Sequence, residues 1–195
     1  MAFGPLSGIL LFVFKEVLLS VIADLIGNLT TMKYIGIISD THGVFSKEFE
    51  EFFAPVDEIW HAGDFGGGED FPFEMSQFKP LVGVCGNCDS SLIRMEYPPV
   101  QLFNCEGAKV LMTHIGGHPG KYPINVMAML DAHKPDIFVC GHSHILRVEY
   151  DHKFKTLFIN PGAAGLQGWQ LERTAIRLKI EDGKASDMEV FRLPR

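Results

Sequence analysis

No apolar stretch of about 20 residues runs free of charge, the length that a membrane-spanning helix requires. The most apolar segment, Gly8 to Gly27, is broken by Lys15, Glu16 and Asp24. The basic start of a secretory leader is also missing, since no basic residue precedes Lys15. Cysteine is sparse: Cys85, Cys88, Cys105 and Cys140 are too few to staple a chain of 195 residues. A reducing, cytoplasmic setting is the expectation. Cys85 and Cys88 form one C-x-x-C pair with no second pair, a weak signal for zinc or redox chemistry. Positive charge is in deficit, with 17 Lys and Arg against 24 Asp and Glu and a net charge of -7. That argues against the basic face of a stable nucleic-acid complex. An internal repeat, a linker and a low-complexity tract are all lacking, so one domain is expected.

What is present is enough apolar residue, 47% of the chain, to bury a sizeable core. Within Gly8 to Gly27, the polar residues Glu16, Ser20 and Asp24 recur every fourth position, a narrow polar stripe on an apolar helix. Three readings of residues 1–31 stay open. Met32 is the native start and the extension is not native; or the helix packs on the domain or on a partner chain; or it anchors at a membrane surface. Membrane contact is expected only if the extension is native.

From Met32 onward, short β-branched runs alternate with helical patterns. Strands are expected at Lys33 to Ser39, Glu58 to Ala62 and Leu81 to Cys85, and a helix at Ser46 to Phe53 with Ser46 as N-cap. This alternation argues for parallel βαβ units. Further on, a strand at Lys109 to Thr113, a helix at Pro123 to His133 and a strand at Asp136 to Cys140 are expected. Two hairpins follow, Ile145 to Ile159 and Thr174 to Arg192, the second turned at Glu181-Asp182-Gly183. Two facing sheets with helices outside are the expected architecture.

Five polar clusters stand just after these strands: Asp40-Thr41-His42, Gly63-Asp64, Gly86-Asn87-Cys88-Asp89, Thr113-His114 and Gly141-His142-Ser143-His144. Sites in open α/β sheets form at the carboxyl ends of strands, so residues scattered in sequence can converge there. Any one cluster is commonly a turn; five in order are a pattern. Aspartate, asparagine and histidine supply oxygen and imidazole nitrogen without a thiolate, a set suited to manganese, iron, zinc or nickel. Residues i and i+2 on an extended strand point the same way, so each Asp-x-His or His-x-His pair can face one cation. His61 is placed near the site as a supporting residue, and His133 and His152 at the surface. His118, in a glycine-rich stretch, is a candidate for reaching the substrate.

Asp40-x-His42, Gly63-Asp64, Gly86-Asn87-x-Asp89, His114, Gly141-His142-x-His144 and Asn160-Pro161-Gly162, taken in order, resemble the signature of the calcineurin-like metallophosphoesterases. Within that superfamily the chain is most similar to small bacterial and archaeal phosphodiesterases of the YfcE type. The resemblance covers Met32 to Arg195. It implies an α/β fold, a four-layer α/β/β/α sandwich of two facing mixed sheets. It also implies two divalent ions, manganese first, with iron, zinc or nickel as alternatives. Asp40, His42 and His144 would bind one ion, Asn87, His114 and His142 the other, and Asp64 would bridge both. Asp64, Asn87 and His114 would be catalytic. Cys88 departs from the pattern, because many relatives carry a histidine there that is thought to protonate the leaving group. A thiol with an ordinary pKa of about 8.5 is a poor substitute. Cys88 and His118 would contact substrate.

The activity so implied is hydrolysis of a small phosphodiester, with phosphomonoesters as a further class, by a hydroxide held between two cations. The cations reconcile an acidic protein with an anionic substrate. The alternative is a non-catalytic protein-binding scaffold resembling Vps29, which has this fold with degenerate ligands. A nuclease is a third reading, without a basic channel to favour it. A homo-oligomer is open as a further association.

Overall fold

The computed structural model describes residues 31–195. The apolar extension at residues 1–31 lies outside these but for Thr31 at its end. The first sheet grows from β1 (Met32–Ile38), β2 (Glu58–His61) and β3 (Leu81–Gly83), which run parallel. Ile35, Ile37, Ile38, Ile59 and Trp60 are fully buried, as strands covered on both faces require. The crossovers carry short helices: α1 (Lys47–Phe53), α2 (Phe71–Phe78) and, after β3, α3 (Ser91–Glu96). α1 buries Phe49 and Phe53, one turn apart on one face. α2 opens on Pro72, whose missing N–H costs nothing in a first turn. β9 (Glu172–Glu181) and β10 (Lys184–Pro194) complete the sheet as an antiparallel hairpin, in the order β10-β9-β1-β2-β3. Their turn is Asp182-Gly183, both with positive φ, as the sequence indicated.

The second sheet has the order β4-β5-β6-β8-β7, from β4 (Val100–Cys105), β5 (Ala108–Thr113), β6 (Ile137–Val139), β7 (Leu146–Asp151) and β8 (Thr156–Pro161). β5, β6 and β8 are parallel, while β4 and β7 are antiparallel edges. Helix α4 (Ile124–His133) joins β5 to β6 and ends at Lys134 in the left-handed conformation. Ile35, Ile37, Trp60 and Ala62 of the first sheet pack on Val110, Met112, Val139 and Ile159 of the second. Outside, Phe49, Phe53, Met75 and Ile93 cover one sheet, and Val126 and Leu130 the other. Two mixed sheets face each other between helices, the expected α/β/β/α sandwich.

Two elements carry no expectation from the sequence: α3 and β4, which pairs with the expected strand β5 through a turn at Glu106-Gly107 with φ of 46° and 84°. The first three expected strands also end one to two residues early, because the polar residues after them leave the ladder to form the site loops. Ser46 stands at the N-cap of α1, but its side chain makes no capping bond; its hydroxyl instead accepts from Arg173 at 3.5 Å.

Candidate metal centre

The strand-end loops run alongside one another. Backbone N–H groups of Asp40, His42 and Gly43 donate to the carbonyls of Gly63, Asp64 and Phe65, which extends the β1–β2 pairing past both strands. Gly165 donates to Asp40 O, and Gly141 to His114 O, which draws in the loops after β8 and β6. Asp40, His42, Asp64, His142 and His144 all have φ between 46° and 66°. Non-glycine residues in this left-handed region cost energy and gather at functional sites. The alternation of an extended strand is therefore not what brings each pair to one side. Asp40 and His42, like His142 and His144, lie beyond the strands, and paired left-handed turns rather than an extended backbone aim them together.

The structure gathers three groups of donor atoms, each within 4.8 Å of one another: Asp40, His42 and His144; His42, Asp64 and Cys88; and Asp40, Asp64 and His114. His144 Nε2 is 3.1 Å from Asp40 Oδ1, and His114 Nε2 is 3.2 Å from Asp64 Oδ2 and 3.9 Å from Asp40 Oδ1. The His142 ring meets the His114 ring edge-on, centroids 5.2 Å apart. Asn87 is exposed and lines the same cavity as His114, its Nδ2 3.3 Å from Cys88 Sγ. His118 belongs to none of the three groups, and its Nδ1 donates to Pro119 O at 2.9 Å.

Each central side chain has one polar atom tied to protein and another left open. Asp40 Oδ2 accepts from Ser39 Oγ at 2.6 Å and from the His142 N–H at 3.1 Å, while Oδ1 is buried without a hydrogen bond. Asp64 Oδ1 accepts the Cys88 N–H at 2.8 Å. His114 Nδ1 donates to Ala62 O at 2.8 Å, since a carbonyl only accepts. His144 Nδ1 faces Gln170 Oε1 at 3.3 Å. The open Nε2 of a neutral His114 is therefore a lone pair, buried, without a hydrogen bond and turned to two carboxylates. Such a cluster repels itself unless positive charge, a proton or a metal ion, lies within it. The residues thus fit a cation, and a donor set of carboxylate oxygen and imidazole nitrogen fits a first-row divalent one. A backbone carbonyl behind the imidazole is the usual partner of a ligating histidine.

The electrostatics agree. Burial alone would raise the Asp64 pKa, but contact with His114 and the Cys88 N–H holds it well below the usual carboxylate range. Burial pulls His114 down, and Asp64 and Asp40 more than reverse this, so its pKa is raised. That of His144 is raised chiefly by Asp40.

Supporting residues emerge that carry no ligand signature. Asp89 is buried and accepts N–H groups of Gly86, Asp64 and Gly66 at 2.7, 3.1 and 3.2 Å, which clamps the β2 and β3 loops together. His61 accepts the Gly63 N–H at Nδ1, so its Nε2–H donates to Thr41 Oγ1 at 2.9 Å, and its ring stacks on Phe65. Burial, with His114 nearby, holds the His61 pKa well below normal, as a neutral role needs. Asn160 Nδ2 donates to Gly141 O at 2.8 Å and Ser143 Oγ at 3.1 Å, which steadies the His142–His144 loop. Gly86 is required because a Cβ there would strike Asp64. Asp89 and Asn160 stood in the signature motifs, so the sequence held their signal; Gln170 and Ala62 have none.

Comparison with known proteins supplies the relationship. The calcineurin-like phosphoesterase superfamily domain matches residues 32–183. A predicted phosphoesterase from Streptococcus pneumoniae superposes at a TM-score of 0.58 with 23% identity, over 84% of this chain and 90% of its own. An archaeal phosphodiesterase gives a TM-score of 0.61 and 24% identity over 82% and 99%. Vps29 from Entamoeba histolytica, solved in complex with zinc, gives 0.63 and 16% over 83% and 98%. These likenesses are of fold. No curated protein matches the sequence. Among the described residues no helix is long and apolar enough to cross a membrane. With the domain matched from one end of the sandwich into its last hairpin, the chain belongs to the calcineurin-like phosphoesterase superfamily.

Proposed function

We propose that this chain is a two-metal phosphoesterase that hydrolyses phosphodiesters, with residues 32–195 as its catalytic unit. The observation that carries the reading is the buried Nε2 of His114, its opposite nitrogen tied to Ala62, turned to Asp64 and Asp40. Asp40, His42 and His144 would hold one divalent ion, Asn87, His114 and His142 the other, and Asp64 both. Asp64 supports the shared role by grouping with His42 on one side and with His114 on the other. Manganese is the first candidate, then iron, zinc or nickel. The ions, when bound, lower the pKa of water and draw charge from phosphoryl oxygens. The chain supplies orientation: Ala62 and Gln170 fix two imidazoles, Ser39 and the His142 N–H fix Asp40, and Asp89 fixes the loop of Asp64.

Cys88 would face the leaving group. Burial and Asp64 raise its pKa in the metal-free chain, and a thiol with its ordinary pKa of about 8.5 is already a poor proton donor to a leaving group. Diesters with acidic leaving groups are therefore the favoured substrates. Four free thiols support a reducing, cytoplasmic setting.

A second reading is a protein-binding scaffold. It is favoured by the shared fold of Vps29, which is also seen with zinc, so bound metal alone does not decide. The test is metal analysis of the purified chain coupled to hydrolysis of p-nitrophenyl mono- and diesters with added manganese. Turnover of the diester supports the enzyme; metal without turnover supports the scaffold.

A further inference from the structure

Beside His144 a tryptophan stands in water. Trp169 is 99% exposed, Leu166 and Leu171 are exposed near it in sequence, and the exposed Ile145 lines the same cavity. Apolar surface gathered in this way marks a binding place more often than isolated surface residues do. The loop that carries Trp169 is held in place. Arg195 donates to the carbonyls of Leu166 and Gly168, and the Gly165 N–H donates to Asp40 O at 2.9 Å. A side chain at Gly168, where φ is 103°, would collide with His144 and Gln170. The indole is thus exposed while its backbone is pinned against a proposed ligand.

A cavity of about 520 Å³ opens here, walled by His142, His144, Ile145, Trp169 and Gln170. That volume lies in the range of small-molecule sites. Two of its walls, His142 and His144, belong to the metal centre, and the others are apolar or amide. Resting on the phosphoesterase reading, we infer that this cavity is a subsite for an aromatic ester arm of the substrate, aryl or nucleobase. A phosphoryl group at the histidines sends an ester arm into it. A flat ring there gains stacking on the indole, which a short alkyl arm does not. Ser143 and Gln170 offer polar edges to ring heteroatoms.

The two tryptophans make the test direct, because Trp60 is fully buried and serves as an internal reference. The full chain, loaded with zinc, is titrated with methyl phosphate, phenyl phosphate and adenosine 5′-monophosphate while the two indole N–H resonances are followed. Phenyl phosphate is expected to bind about tenfold more tightly than methyl phosphate and to shift the Trp169 signal, with Trp60 unmoved. Trp169→Ala should collapse that preference, Trp169→Phe should keep most of it, and Phe73→Ala, an exposed aromatic on α2, should not alter it. The tighter of the two aromatic ligands names the source of the ring. Equal affinity for methyl and phenyl phosphate, or a preference that survives Trp169→Ala, overturns the subsite and leaves the phosphoesterase reading standing. Failure of every phosphate to bind overturns both.

Discussion

His114 donates its Nδ1–H to the carbonyl oxygen of Ala62 at 2.8 Å, which commits its other nitrogen to Asp64 and Asp40. Ala62 follows β2, whereas His114 follows β5 in the opposite sheet. One hydrogen bond therefore crosses the sandwich and sets the imidazole for the proposed cation. Its consequences can be measured.

The first concerns pH. In the metal-free protein His114 and His144 have raised pKa values, through Asp64 and Asp40 once the opposing effect of burial on His114 is included. The folded form thus holds these protons more tightly than the unfolded form, where histidine titrates near 6.5. Their stabilising contribution is fully present below about 6.5 and is lost as pH rises through the folded values. His61, with its depressed pKa, acts below that window, where stability falls as pH falls. Denaturant unfolding of metal-free protein should show stability declining above about pH 6.5, and Asp40→Asn should flatten the decline. Metal-loaded protein should show the reverse slope, since ions bind neutral imidazole.

Asp89 touches none of the open donor atoms yet satisfies three N–H groups on two site loops. Asp89→Ala strands them. Thermal and denaturant unfolding should show a loss of about 2–4 kcal/mol. Metal titration should show about 10–100-fold weaker binding. Unchanged affinity would mean that the loops hold their shape without the clamp.

Asp64→Asn removes the charge shared between both proposed ions. Calorimetric titration should show both binding events weakened together, by more than about a hundredfold. Loss of one event with the other intact would confine Asp64 to a single site.

Cys88→His restores a proton donor of suitable pKa. Across aryl diesters of differing leaving-group acidity, the wild type should slow steeply as the leaving group becomes less acidic. The variant should flatten that dependence and gain at least about tenfold on the poorest leaving group. Parallel lines would remove Cys88 from proton transfer.

Much of this arrangement was legible in the sequence. The strand-end clusters around Asp40, Asp64, Asn87, His114 and His142 could be found because buried strands are β-branched and their polar, glycine-flanked ends stand out. The left-handed dihedrals of Asp40, His42, Asp64, His142 and His144 could not, because composition carries no trace of a strained backbone that neighbouring loops impose. Val100 to Cys105 was missed because its inward and outward residues do not alternate cleanly, and Glu106-Gly107 is a weaker turn signal than Asn-Gly. Gln170 and Trp169 come to His144 through tertiary packing alone, 26 and 25 residues along the chain, so no local pattern marks them.

The most direct test is anomalous scattering from crystals of the full chain grown with manganese. Two peaks are predicted, one beside Asp40, His42 and His144, the other beside Asn87, His114 and His142, with Asp64 in contact with both. A single peak away from Asp64, or manganese bound elsewhere with these side chains bare, would contradict the two-metal centre.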